Sequence, residues 1–565
     1  MASRFGSSCK PGMGRLFRIL LTLCLLTPGT ARAQGAINRI FPNGAQRGTK
    51  VKLTLGGSGI PAKATLVVEG DGIRPLGEFV KGVGEVEIAS DARPGFRQLR
   101  LVGPRSATSP RPFAVGLFPD VNEREPNDRA TDAQPLAALP VTLNGSLPSR
   151  PDIDVFRVHL RQGECLVVAS ESRALGAPTD LIVRIRDLQR RELAVQMDYR
   201  TRDPLLGFVA PQTVDYLVEL QDVMNNYSGI NSDYVYRVHL TTGPWLDYVS
   251  PPSAQRGAAA ALTFHGWNLG GKAGPGAVTE TVVIPAGAAE RFPITGGGAP
   301  NPALLQVADL TTVAEQGGTS PQSLATPMSV NGTFSRPGER DRYRFHAAAG
   351  QMLLLDVQAR TLGSFADPVL TLLDASGKQL SRIDDVGGSR DPQLLWKAPA
   401  AGEYAVVLED VAAGARGGEN FFYRFSVAPP PPRLSLTTTL HTPVLKPGGK
   451  LEIPVTVSQS FQPAEARLAV EGLPAGVTAA AVTVKPSPGK RTNATVKLIL
   501  TATKDAPPGH AVIRIAARTA GASSLIASAM AKWVLSTDRS GTLAEGSTSR
   551  LLLLIPAPLP PSEKK

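Results

Sequence analysis

Residues 141–223 of this 565-residue chain return, nearly in register, at 328–411. Asn144-Gly145 comes back as Asn331-Gly332, 187 residues on. At the same spacing Gly163 becomes Gly350, Leu175-Gly176 becomes Leu362-Gly363, and Asp180, Asp187 and Asp198 become Asp367, Asp374 and Asp385. After a one-residue insertion, Ala210-Pro211, Tyr216 and Asp222-Val223 correspond to Ala398-Pro399, Tyr404 and Asp410-Val411. Self-similarity over this length means one structural unit used twice. Its hydrophobic period is two: Phe156, Val158 and Leu160 alternate with Arg157 and His159. Leu217–Leu220 and Ala405–Leu408 read as matching core strands. That period, in short segments, predicts an antiparallel β-sandwich or jelly roll.

A second repeat brackets the first. Pro42-Asn-Gly-Ala-Gln-Arg-Gly48 matches Pro251-Pro-Ser-Ala-Gln-Arg-Gly257, and Leu53, Leu55 and Gly57 match Leu262, Phe264 and Gly266. Val51, Leu53 and Leu55, then Val83, Val86 and Ile88, alternate with polar neighbours, and Pro42-Asn-Gly44 and Gly56–Gly59 read as turns. After Pro429–Pro432, a stiff polyproline linker, Leu451–Val457 and the stretch beyond Leu473-Pro-Ala-Gly-Val477 read as strands again. The expectation is an all-β chain of tandem sandwich and immunoglobulin-like modules. Their expected spans are 34–118, 119–242, 243–312, 313–428 and 433–557, with a disordered tail from 558. A content of 56 Gly and 49 Pro suits many short strands and turns.

The N-terminus reads as an export signal. Lys10, Arg15 and Arg18 precede the apolar run Ile19–Leu26, and Ala31-Arg-Ala33 offers a cleavage site. No stretch in the remaining chain is long and apolar enough to span a bilayer, so an exported protein without a transmembrane span is expected. Cys9 and Cys24 leave with the signal; Cys165 remains alone, in a buried-strand pattern that points to packing. The net charge of +12 is scattered and aromatics make up 5% of the chain, which argues against nucleic-acid binding.

One segment carries candidate chemistry. Glu123, Glu125, Asn127 and Asp128 offer four side-chain oxygens within six residues, and in an extended segment the first three share a side. Asp152 and Asp154 share a side at the start of the next strand. If the first segment folds against that strand, five carboxylates converge, which demands a cation. Calcium, with its six to eight oxygen ligands, fits this chemistry. By contrast the histidines show no H-E-x-x-H spacing. His159 and His239 read as an outward-facing surface pair on strands that could pair at the domain edge, and no serine sits in a G-x-S-x-G turn.

The residues Glu123-x-Glu-Pro-Asn-Asp128, Val141-x-x-Asn-Gly145, Asp152-x-Asp-x-Phe156, Gly163 and Tyr216-x-x-x-Leu220 resemble the bacterial pre-peptidase C-terminal domain. The second unit keeps the body of this pattern but has Glu315-Gln-Gly-Gly318 where the acidic segment would stand. The resemblance implies a secreted, calcium-stabilised sandwich acting as an accessory module, with calcium ligands at the matching Glu, Asn and Asp positions. The family's strand aromatic is commonly Tyr, and here it is Phe156. The segments from Pro42 and Pro251 resemble small immunoglobulin-like IPT/TIG domains, and the last module resembles the immunoglobulin-like modules at the C-termini of exported bacterial proteins. The expectation is a non-enzymatic protein that binds a polymer or protein at the cell surface. The alternative is an accessory subunit of a secreted hydrolase.

Overall fold

The computed structural model describes residues 35–149, 151–224, 231–318, 320–412, 414–519, 525–538 and 541–558. The segment read as an export signal and the expected tail beyond Pro558 lie outside them. The described chain is all-β, its only helices being two single 3₁₀ turns at Leu269–Gly271 and Arg360–Leu362. Five main hydrophobic cores follow one another, at Ile37–Val115, Val141–Leu240, Leu246–Val307, Leu324–Val427 and Leu436–Ile555.

The second and fourth cores lie inside sandwiches of the same build. In the first sandwich one five-stranded sheet runs Asp120–Asn122, Val141–Ser146, Val235–Thr241, Cys165–Ser170, Leu205–Val209. The other runs Gln134–Pro135, Asp154–Leu160, Val214–Asp222, Leu181–Arg186, Glu192–Gln196. The second sandwich repeats both orders strand for strand. Even the register returns: Asp154 faces Leu220 as Asp341 faces Leu408. The expected alternation holds, with Phe156, Val158 and Leu160 buried and Arg157 and His159 exposed.

The bracketing modules also share a pairing scheme. Phe41 faces Thr54 as Ser250 faces Thr263, and Ala45 lies parallel to Val115 as Ala254 does to Val307. Two local expectations are corrected. Gly56–Ser58 continue the strand Lys50–Ser58 instead of turning, because the chain pairs there with Ala36–Phe41. Val83 is half-exposed while Val86 and Ile88 are buried, since three residues' separation puts Val83 on the other face.

The modules do not hang as separate beads. The run Leu551–Ile555 is buried on both faces: Leu551, Leu553 and Ile555 enter the last core, while Leu552 and Leu554 pack on Val102 and Ala107 of the first module. Ala557 donates its N–H to Pro104 O (2.9 Å), so the chain is still tied down one residue before the expected tail. In the middle of the molecule, Arg200 donates to both Asp247 oxygens (2.6 and 2.8 Å), to Gly363 O (2.6 Å) and to Asn420 Oδ1 (2.8 Å), stacking over Tyr248 and Phe365. That one guanidinium joins both sandwiches and the module between them.

Candidate metal centre

The segment Glu123–Pro135 crosses the rim of the first sandwich from one sheet to the other. It leaves Asp120–Asn122, parallel to Val141–Ser146, and arrives at Gln134–Pro135, parallel to the strand that starts at Asp154. Ala130 and Ala133 seat it on Val155 and Leu217, on the outer face of that sheet. Backbone bonds fix its first half: Glu123 N–H to Asn144 O (3.0 Å) and Val155 N–H to Asn127 O (3.0 Å).

The acids take distinct places along this crossing. Glu123 Oε1 accepts from Ser146 N–H (2.8 Å) and Ser146 Oγ (3.0 Å), and Oε2 accepts from the Tyr236 hydroxyl (3.1 Å). Glu125 Oε2 accepts from Asn127 N–H (3.0 Å), and Asp128 Oδ1 from Ile153 N–H (3.1 Å). The segment bends at Glu125–Pro126 instead of staying extended, so Glu123 turns toward Ser146 while Glu125 turns toward the strand start. One carboxylate oxygen each from Glu125, Asp152 and Asp154 lie within 4.8 Å of one another. Asn127 and Asp154 are fully buried, and neither side chain's polar atoms have a hydrogen-bond partner of normal geometry.

The electrostatics follow from this crowding. Burial, then the Glu123 carboxylate, pushes Asp154 up to about 10. Burial, then Glu125, Glu123 and Asp128, pushes Asp152 up to about 7. Burial also raises Glu125. Hard oxygen donors that hold negative charge poorly by themselves suit a divalent cation such as calcium, and the unmet Asn127 amide oxygen adds a neutral donor.

All six expected residues therefore line one rim, with Glu125, Asp152 and Asp154 converging most closely. The residue that sequence reasoning missed is Tyr236, wedged between Glu123 and Asp154. The alternation of Tyr236, Val238 and Leu240 marks it as facing inward but carries no sign of its reach to Glu123. Gly145 serves the same spot: a Cβ there would overlap the Tyr236 hydroxyl and Glu123 Oε2, which is why Asn-Gly stands at this position. Asn144 itself anchors the buried Arg237, whose Nη1 also reaches Asp120 (both 2.7 Å).

The second sandwich keeps only part of this arrangement. Glu315 Oε1 accepts from Thr333 N–H (3.0 Å), as Glu123 does from Ser146. Tyr423 donates to Asp341 Oδ2 (2.6 Å), and the Tyr343 hydroxyl, absent at Phe156, lies 2.6 Å from that of Tyr423. Glu339 is turned into its own loop, accepting from Ser335 Oγ and Arg336 N–H. Among the described residues no trio of carboxylates closes here as it does around Asp154.

The histidine expectation is corrected. His159 is exposed and pairs with Asp215 (2.8 Å), whereas His239 is buried on the other sheet, between Thr142 (2.9 Å) and Glu171 (3.2 Å). Phe118 and Trp245 from the adjoining modules cover the face on which His239 lies. Cys165 is buried as expected, and the next module lies over its strand, with Asn268 Nδ2 donating to Cys165 O (2.9 Å).

No protein family matches the chain as a whole or in part. Over 72 residues it is 42% identical to a protein of Deinococcus radiodurans described as a probable subtilase-type serine protease, covering 13% of this chain and 10% of that protein. The chain thus spans about a tenth of that relative's length. Among solved structures it is similar to the pre-peptidase C-terminal domain of a Bacillus anthracis collagenase, at 12% identity, 20% coverage of this chain, 99% of that domain and a TM-score of 0.16. It is also similar to the N-terminal four immunoglobulin domains of Dscam1 isoform 1.9, at 10% identity, 88% and 97% coverage and a TM-score of 0.19.

Proposed function

We propose that this chain is an exported, non-catalytic β-scaffold that binds an extracellular or cell-envelope polymer or protein. Its two sandwiches are copies of the pre-peptidase C-terminal type, and the first holds a structural calcium ion through Glu123, Glu125, Asn127, Asp128, Asp152 and Asp154. The observation that carries the metal reading is the trio Glu125, Asp152 and Asp154 together with the fully buried, unpartnered side chain of Asn127, whose backbone bonds to Glu125 and to Val155. Without a cation that arrangement leaves the Asn127 amide oxygen unmet and carboxylates opposed; a cation answers the oxygen and the carboxylates together.

The role of the ion is to fasten the crossing segment to both sheets. A ligand that binds only the folded state stabilises by RT ln(1 + [L]/Kd), about 2.7 kcal/mol at a hundredfold excess. For a module of this size that is a rise of about 10 °C in its melting temperature. Calorimetry of the full chain in calcium and in chelator tests this. Glu125→Ala and Asp154→Ala each abolish most of the rise. Asp187→Ala, in a distant hairpin where Asp187 pairs with Arg191 (2.6 Å), leaves it intact. Identical wild-type scans in calcium and chelator sink the metal reading.

A second reading, an accessory subunit of a secreted hydrolase, draws on the 72-residue likeness to a probable serine protease. Recovery of a hydrolase with the tagged chain from the culture medium supports it. Saturable binding to an envelope polymer, with no hydrolase recovered, favours the first.

A further inference from the structure

Three modules meet around a cleft of about 600 Å³, well inside the size range of small-molecule sites. The first module brings Phe96 and Phe118, the first sandwich brings Glu171 and Asp203, and the following module brings Trp245 and Asp247. The walls are held rigidly. Arg200 grips Asp247 with two hydrogen bonds, and the Tyr199 hydroxyl donates to the same carboxylate (2.8 Å). Asn301 clamps the Leu246 backbone from both sides, accepting from its N–H (2.9 Å) and donating to its carbonyl (2.8 Å).

Two features define what fits. The first is aromatic surface. Four of the 24 lining residues are Phe, Tyr or Trp, about three times the share of these types in the chain. Phe118, His239 and Trp245 form one cluster with centroids 5.4–6.3 Å apart. Phe96 stands at the cleft 46% exposed, a ring the fold leaves uncovered. The second feature is charge. In a chain of net charge +12, the cleft is lined by three carboxylates, one guanidinium and no lysine. The Arg200 guanidinium is occupied by Asp247, and Glu171 is met by His239 and by Arg237 (3.5 Å). Asp203 differs: it is held by the N–H groups of Arg173 (3.0 Å) and Ala174 (2.9 Å) and by the Ser170 hydroxyl (3.0 Å). Among the described residues no basic side chain forms an ion pair with it.

We propose that this cleft binds an organic cation, an alkylammonium group whose carbons lie against Phe96, Phe118 and Trp245 and whose charge Asp203 balances. Aromatic rings and a carboxylate that no cationic side chain pairs with are complementary to such a group, and they discriminate against anions and uncharged hydrocarbons alike. The same chemistry is offered by a free quaternary amine and by a lysine side chain of a peptide.

Calorimetric titration of the full chain with choline, its uncharged isostere 3,3-dimethylbutanol and Nα-acetyl-lysine amide tests the proposal. At least one cation saturates the protein with a Kd of about 1–10 mM or tighter, and the isostere binds at least about tenfold more weakly. Preference for choline assigns the cleft to a free quaternary amine; preference for the lysine amide assigns it to a peptide side chain. Phe96→Ala weakens the better cation about fivefold. Phe96 is exposed, so the variant folds and its result stands even if Asp203→Asn, expected to weaken binding further, does not. Val512→Ala, exposed on the last module, changes nothing. Equal affinity for choline and dimethylbutanol overturns the proposal, as does failure of both cations to saturate, or unchanged affinity in Phe96→Ala.

Discussion

Asn127 is the most telling single residue. A buried amide with no partner for its oxygen or its nitrogen costs about 1–3 kcal/mol for each unmet group. An ion at Asp154 repays the oxygen, and only when present. Asn127→Ala is therefore expected to lose most of the calcium-dependent rise in melting temperature while melting no lower than wild type in chelator. Scanning calorimetry of both proteins in both buffers checks this. A loss of stability as large in chelator as in calcium would show that Asn127 serves packing instead. The acids of this site were legible because their spacing is local: Glu123 to Asp128 and Asp152 to Asp154 are two short runs. Tyr236 was not, since nothing in the spacing of residues 113 positions apart shows that its hydroxyl reaches Glu123.

The two sandwiches show how one element can be kept while its chemistry changes. The Asn-Gly pair persists within the matching strand of both, and a Cβ at Gly332 would meet the Tyr423 hydroxyl and Glu315 as one at Gly145 would meet Tyr236 and Glu123. Gly145→Ala is expected to destabilise the first sandwich by roughly 1–3 kcal/mol, the usual cost of overpacking, read as a lowered midpoint in denaturant. In the second sandwich, burial and then Asp341 raise Glu315 to about 7, and burial raises Asp341 to about 6. Unfolded, both ionise near 4, so the folded state binds more protons above that pH. Their contribution is complete below about 4 and is lost as pH rises through 6 and 7. The transition of residues 320–428 is accordingly expected at a lower temperature at pH 8 than at pH 5, and at the same temperature with or without calcium. Asp341→Asn flattens the pH dependence. The repeat made this architecture readable from sequence, because a period of two held in register leaves little freedom of fold. The bend at Pro126 and the continuation of strand through Gly56–Ser58 were not readable, since each depends on a pairing partner elsewhere in the chain.

At the scale of the whole molecule, the sequence offered modules in a row, and the fold brings the last back onto the first. Leu551–Ile555 carries no alternation because both of its faces are covered, one by its own core and one by Val102 and Ala107. Residues more than 400 positions apart leave no periodic trace of their contact. The seam is polar as well as apolar. Arg100, 1% exposed, donates to Glu69 of its own module and to the His441 and Arg550 carbonyls of the last (3.2 and 3.3 Å). Desolvation lowers its pKa, and Glu69 works against that shift. Arg100→Ala strands Glu69 in the seam and is expected to cost about 3–5 kcal/mol, the usual result of removing one partner of a buried pair. A cleaner probe is Leu552→Asp. It sets a charge against Val102 and Ala107 and leaves the inward residues Leu551, Leu553 and Ile555 in place. The last module should therefore stay folded while its hold on the first is lost. Small-angle scattering should show a larger radius of gyration for Leu552→Asp than for wild type, with the far-ultraviolet spectrum unchanged. An unchanged radius would mean that Leu554 and the polar contacts around Arg100 hold the seam without Leu552, and the double variant with Arg100→Ala would then be the one that opens.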